Sequence, residues 1–225
     1  LILIVCIIEH AFIWFLSPAA AKVTLSKQTV MFKDKHTWIM TYLYIMTFGS
    51  FIGFSNAFPK LILDLFDELG SEDCAAAMLA DPSKQDCSDP NSPGKGFSPA
   101  FLGAMIGSLI RPVGGMMSDK FGGARVTHWH TLLLTIATIT LGIICILVRN
   151  ATTNRSAFYP PFFIIFMIIF YCTGVGNGST FRQIGVIFDK WLTPPVLGWS
   201  SAIASFGAFL IPKFFGAFIQ SGTPE

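Results

Sequence analysis

The sequence predicts an all-α polytopic membrane protein, and three observations carry that prediction. Charged residues make up 12% of the 225-residue chain against 52% hydrophobic ones, and a soluble domain carries about 25% charged residues. Six apolar runs alternate with polar, Pro-rich or charged segments, and most approach the ~20 residues that a helix needs to cross a bilayer. Lys and Arg are shared unequally between the two sets of connecting segments, as expected where positive charge stays on the cytoplasmic side. The net charge of +2 is too small to argue for nucleic acid. The ten-residue alternation of a membrane β-barrel is absent from the sequence.

Residues 1–16 open inside an apolar run, without Met and without the basic start and cleavage site of a secretory signal. They read as the end of a transmembrane helix, with both ends of the chain expected to be cut. Residues 17–37 carry Lys22, Lys27, Lys33 and Lys35 and read as a cytoplasmic loop. Residues 38–219 are expected to hold five further spans, at about 38–63, 97–117, 126–148, 159–188 and 197–219. Residues 220–225 are a truncated end.

Lys120 and Arg125 follow the third run and Lys190 the fifth, which puts those loops on the same side as 17–37. The segment 64–96 is instead acidic, with Asp64, Asp67, Glu68, Glu72, Asp73, Asp81, Asp86 and Asp89, and belongs outside. Arg149 and Arg155 oppose this assignment weakly. Cys74 and Cys87 both lie in the acidic segment. In an oxidising compartment they form a disulfide, or else they are two free thiols in a loop. Cys6, Cys145 and Cys172 sit in apolar runs and serve as small packing residues.

Arg111 is the most informative residue. It falls inside the third span, before Pro112, where a charge costs several kcal/mol and tends to face a cavity or a partner. The competing possibility is that it snorkels to the inner interface. A guanidinium is planar, permanently charged and forked, so it suits a small oxyanion. Tyr44 and Phe48 stand four apart on one helix face, with Ser55 two turns on. They form either an aromatic shelf for a flat anion or a packing stripe.

In the fifth run Gly174, Gly176, Asn177 and Gly178 form a small-residue cluster that allows close helix approach, a hinge, or both. Arg182, nearer the inner end, is expected to snorkel. The sixth run carries Ser201, Ser205 and Gly207, another small-residue surface. Pro212 and Lys213 are expected to break its second half, with Lys213 either buried or at the outer interface. The turn containing Gly115, Asp119, Lys120, Gly122 and Arg125 needs its glycines for unusual backbone angles. Asp119 is placed to accept from a helix start, as a latch, or the turn is merely hydrophilic. His128 and His130 lie two apart on a helix and make a poor metal pair. No metal, cofactor or catalytic constellation is expected, so the chain does not read as an enzyme.

The turn from Gly115 to Arg125 resembles the signature loop of the major facilitator superfamily. Arg111-Pro112-Val113-Gly114-Gly115, followed by Ser118-Asp119-Lys120 and Gly122-Gly123-Ala124-Arg125, resembles its NarK-type nitrate/nitrite porter branch. So do His36-Thr37-Trp38-Ile39-Met40, Tyr44, the run from Thr47 to Ser55, and the runs 174–188 and 201–216.

The resemblance implies a major facilitator fold, with these spans equivalent to helices six to eleven of twelve. It also implies an inner-membrane protein that moves nitrate or nitrite by alternating access. Arg111 would bind the anion together with an arginine of a missing N-terminal half. Tyr44 and Phe48 would hydrogen-bond and stack on it, and Gly207 would belong to a nitrate signature. Ala204 and Ala208 stand where the family often has glycine, and the acidic segment is longer than usual. The alternatives are a facilitator of another small anion and a non-transport membrane sensor or enzyme.

Overall fold

The computed structural model describes residues 2–16, 28–67, 71–80 and 99–220, which are helical with no strand among them. Helix α1 is Ile2–Leu16, and a 3-10 turn spans Thr29–Lys33. The next span is continuous but not uniform. It consists of α2 (Lys35–Tyr44), a π-helical turn (Ile45–Gly49) and α3 (Ser50–Phe66). Helix α4 (Ser71–Ala80) lies in the acidic segment. α5 (Ala100–Leu109) and α6 (Arg111–Phe121) form one interrupted span. They are followed by α7 (Gly123–Asn150), a 3-10 turn (Arg155–Phe158) and α8 (Tyr159–Ile187). α9 (Thr193–Ala204) and α10 (Gly207–Gln220) complete the chain.

Five of these helical stretches are long and apolar enough to cross a membrane, among them 35–66, 123–150 and 155–187. α1 is shorter, and its Ile4, Ile7, Ile8, Phe12 and Phe15 are exposed. Along α7, Leu132, Leu133, Ile136, Ile139, Ile143, Ile146 and Leu147 are exposed too. Such a face suits contact with lipid or with further protein.

α8 is the central element, and its two halves pack differently. In the outer half, Phe162, Phe166 and Phe170 repeat every four residues and meet Phe51, Phe54, Phe58 and Phe66 of α3. Phe58 stacks on Phe166 at 4.1 Å, and Phe51 meets Phe170 edge-on at 6.0 Å. Aromatic pairs of these geometries each add roughly 0.5–1.5 kcal/mol beyond burial.

In the middle of α8 the side chains shrink and the backbones touch. A Cβ at Gly174 would collide with the Gly107 carbonyl, and one at Gly178 with the Arg111 carbonyl. From the other side, a Cβ at Gly114 would collide with Val175. The Gly-x-x-x-Gly spacing of 174 and 178 therefore lets α8 lie directly on the α5–α6 backbone. The cluster is closely packed at Gly174 and Gly178.

Two interruptions differ from expectation. The sixth span breaks at Ser205–Phe206, and Pro212 sits inside α10. Ser205 donates its hydroxyl and its N–H to the Ser201 carbonyl, a local bond that bends a helix. Gly207 then packs on the Gly49 backbone, which fixes the direction in which the chain resumes. Lys213 is exposed, with its ammonium 5.3 Å from the Phe209 ring.

In the acidic segment, Asp73 accepts from the Asn154 N–H at 2.6 Å, joining α4 to the α7–α8 connection. Cys74 is disulfide-bonded. Cys87 lies outside the described residues, as do Lys22, Lys27, Glu68, Asp81, Asp86 and Asp89. Cys6, Cys145 and Cys172 are free thiols.

The crossing makes a direct prediction for the full-length protein. Gly178→Ala forces a methyl into the Arg111 backbone and should cost about 1–3 kcal/mol. Gly185→Ala, where an added Cβ meets nothing within 4 Å, should cost nothing. Thermal unfolding in detergent compares them, and equal melting temperatures would remove the close crossing as a determinant of stability.

Candidate functional site: an unpaired arginine on an aromatic shelf

Arg111 is the first residue of α6, directly after the turn at Ile110. Pro112 explains the position. Proline lacks an N–H and clashes with the carbonyl four residues back, but it suits the first turn of a helix. The Arg111 carbonyl lies against Gly178, so its backbone is held from behind by α8.

The guanidinium lies over two rings. Its Cζ is 4.5 Å from the Phe51 centroid and 5.5 Å from the Phe48 centroid. Tyr44 stands next to Phe48, with ring centroids 5.3 Å apart, and is buried. The structure thus brings Arg111, Tyr44 and Phe48 to one place. Phe51 is the member that the sequence did not single out. Its signal was available, because it lies one turn beyond Phe48.

Arg111 has no carboxylate partner among the described residues. Its Nε is buried and finds no acceptor among the described residues. The ion pair found there is between Asp119 and Arg182. Aromatic faces offset part of the cost of a buried cation, but a guanidinium also presents N–H donors in a fixed fork. A half-buried arginine set against rings, with no counter-ion among the described residues, has the chemistry of an anion receptor.

The π-helical turn Ile45–Gly49 follows Tyr44 and contains Phe48, where the apolar spacing predicts unbroken α-helix. Thr47 donates its hydroxyl to the Leu43 carbonyl at 3.0 Å, giving that carbonyl a partner in the widened turn. Gly49 abuts the Ala204 carbonyl. Single π turns inside α-helices are frequent at functional sites. Ser55 does not extend the shelf chemically, since its hydroxyl donates to the Phe51 carbonyl at 2.7 Å. Gly207 forms a helix crossing with Gly49. Ser201 is half-buried and Ser205 exposed.

At the inner end, Gly122 adopts φ 86° between α6 and α7, a left-handed conformation natural to glycine. Asp119 accepts from Arg182 Nε at 2.6 Å, rather than from a helix start. Arg182 therefore pairs across to α6 rather than merely snorkelling, because α8 carries it past Asp119. Lys120 and Arg125 are exposed.

Behind the ion pair is a buried polar cluster. Thr127 and Ser179 share a hydrogen bond of 3.0 Å, Ser179 also bonds the Gly123 carbonyl, and Gln183 donates to Thr127 at 2.7 Å. His130 bonds the Val126 carbonyl and His128 is exposed. No group of residues suited to holding a metal occurs among the described residues.

These contacts rank the inner fastening. Both partners of the ion pair are about half exposed, so Asp119→Asn should change stability by under about 1 kcal/mol. Ser179 is fully buried, and Ser179→Ala should cost about 1–3 kcal/mol. Melting curves of the two variants check this, and the reverse order would transfer the fastening to the charges.

No protein-family model matches the chain. It is 35% identical to a probable nitrate/nitrite antiporter, NarK2 of Thermus thermophilus, over 93% of this chain and 41% of that protein. It is 34% identical to the nitrate/nitrite transporter NarU of Salmonella typhimurium, over 91% of this chain and 42% of that one. A nitrite extrusion protein of Bacillus subtilis is 23% identical over 89% of the chain. The chain spans about two fifths of the length of these curated relatives. With its membrane-spanning helices and its sequence likeness taken together, the chain belongs to the NarK-type nitrate/nitrite porters of the major facilitator superfamily.

Proposed function

We propose that the chain forms part of a membrane porter that carries nitrate or nitrite, with Arg111 as its anion-binding cation. The observation that carries this proposal is the Arg111 guanidinium. It lies over Phe48 and Phe51, with its Nε buried and without an acceptor among the described residues. A planar oxyanion suits that setting, because the fork of the guanidinium and the flat anion can share one plane above the rings.

Binding proceeds through four contributions. Arg111 supplies charge and paired donors. Phe48 and Phe51 hold the guanidinium in place and exclude water from one side. Tyr44 offers a hydroxyl beside the shelf. The α8 glycines fix the Arg111 backbone, so little ordering remains when the anion arrives.

The rest of the protein enters through the relatives' greater length. A second half faces this one across the site and supplies a further cation. An anion between the two cations neutralises their repulsion and lets the halves close, and release on the other side completes alternating access. Residues 1–16 and 17–37 would then be the end of a helix and the cytoplasmic connection between halves. Residues 38–219 would form most of the C-terminal half, with 64–96 outside the bilayer.

The Asp119–Arg182 contact, with Gly115, Lys120, Gly122 and Arg125 around it, would act as a latch of the inward end. Gly174, Gly176, Gly178, Ser201, Ser205 and Gly207 would serve packing during the movement. The protein is a transporter rather than an enzyme, placed in a bacterial inner membrane, with nitrate or nitrite as its substrate.

Anion uptake by the full-length protein in proteoliposomes tests the proposal. Arg111→Ala should abolish uptake of both anions. Arg111→Lys keeps the charge but loses the fork and should weaken uptake about tenfold or more, the worth of one charge-assisted hydrogen bond. Uptake that survives Arg111→Ala would falsify the assignment.

A further inference from the structure

Arg111 is not the only buried donor left without a partner. Asn177 is 4% exposed, and its side-chain Nδ2 finds no acceptor among the described residues. An orphaned amide in a protein interior costs a few kcal/mol, and the great majority of such groups are bonded.

Its direction follows from the neighbours of α8. Gly174 and Gly178 mark the strip of α8 that touches Gly107 and Arg111. Gly176 marks the strip that meets Thr47 in the π turn, whose methyl would lie 2.8 Å from an added Cβ. Ser179, bonded to Thr127, marks the strip that faces α7. At about 100° per residue, Asn177 lies about 60° from Gly174 and about 100° from both Gly176 and Gly178. It therefore occupies the arc between the Arg111 strip and the π-turn strip, on the side away from Ser179. The Arg111 backbone stands at one edge of that arc and the π turn that carries Phe48 at the other, and the guanidinium carbon is 5.5 Å from the Phe48 ring centroid.

We infer that Asn177 is a second hydrogen-bond donor to the bound anion, acting beside Arg111 and favouring an anion with a third oxygen. The inference rests on the porter function proposed above and deepens it. The chemical reason is geometrical. A guanidinium edge takes two oxygens with two parallel bonds. A two-oxygen anion such as nitrite is then fully engaged. A trigonal three-oxygen anion such as nitrate keeps one oxygen free, and it needs a neutral donor from another direction. An amide NH2 supplies one without adding charge. Asn177 thus sets which anion is held better, whereas Arg111 sets whether an anion is held.

The test uses the full-length protein in proteoliposomes, with nitrate and nitrite uptake measured separately for wild type, Arg111→Ala, Asn177→Ala, Asn177→Ser and Asn177→Asp. Asn177→Ala should raise the ratio of nitrate KM to nitrite KM by about ten- to a hundredfold, as expected for one bond to a charged ligand. Asn177→Ser keeps a donor and should restore much of the ratio. Asn177→Asp keeps the shape but faces the anion with acceptors, and it should bind nitrate most weakly of the three. Melting temperatures measured without anion should not fall in Asn177→Ala, since the change removes an unpaired donor.

An unchanged ratio, with both KM values rising together or neither moving, overturns the inference while leaving the Arg111 site intact. Loss of folding in all three Asn177 variants assigns the residue a structural role and also overturns it. Retention of uptake in Arg111→Ala, or uptake of neither anion by wild type, instead defeats the proposed function itself.

Discussion

The backbone contact between α8 and the α5–α6 span is the constraint on which the rest of the structure depends. Gly174 and Gly178 bring α8 onto Gly107 and Arg111, closer than any side chain allows. That contact fixes the Arg111 carbonyl, and with it the point from which the guanidinium reaches over Phe48 and Phe51. In a bilayer, helix association gains little from apolar burial, because lipid is as apolar as the helix surface. Close packing takes over that role, and here the tightest packing and the candidate site coincide.

The division of labour along α8 follows the same logic. Its outer half is filled by phenyl rings that interleave with those of α3, a bulky and specific fit. Its middle is bare backbone. Its inner half exchanges hydroxyl and amide hydrogen bonds with α7 and an ion pair with α6. Each third meets its neighbours by a different means, so the helix is held at both ends while its centre stays free of bulk. The centre carries Asn177 and packs on the Arg111 backbone, from which the guanidinium reaches Phe48 beside Tyr44.

Much of this was legible in the sequence. Charge poverty and run length gave the helical membrane class. The charge of Arg111 inside the third span marked it as a candidate, and Tyr44 and Phe48 stood four apart. What escaped were features that depend on partners distant in sequence. The π turn depends on Thr47, and Gly49 there meets Ala204 and Gly207, a pairing that local periodicity does not encode. The break at Ser205 was hidden by the more conspicuous Pro212, whose missing N–H the helix tolerates. Arg182 looked like an interface residue because Asp119, its partner, is 63 positions away. Both aromatic contacts of Arg111 needed the fold before they could be separated from ordinary packing.

The interruptions share one further property. The π turn at 45–49 adjoins Gly176 through Thr47, the break at Ile110 adjoins Gly174, and the break at Ser205–Phe206 leads into Gly207 on Gly49. Three spans thus lose their regular hydrogen-bond ladder in one layer beside α8, which stays intact there. An unbroken helix resists bending, whereas a widened or broken turn yields more readily. The layer is a fault plane at the depth of Arg111, the level at which the packed segments on either side are joined by irregular backbone.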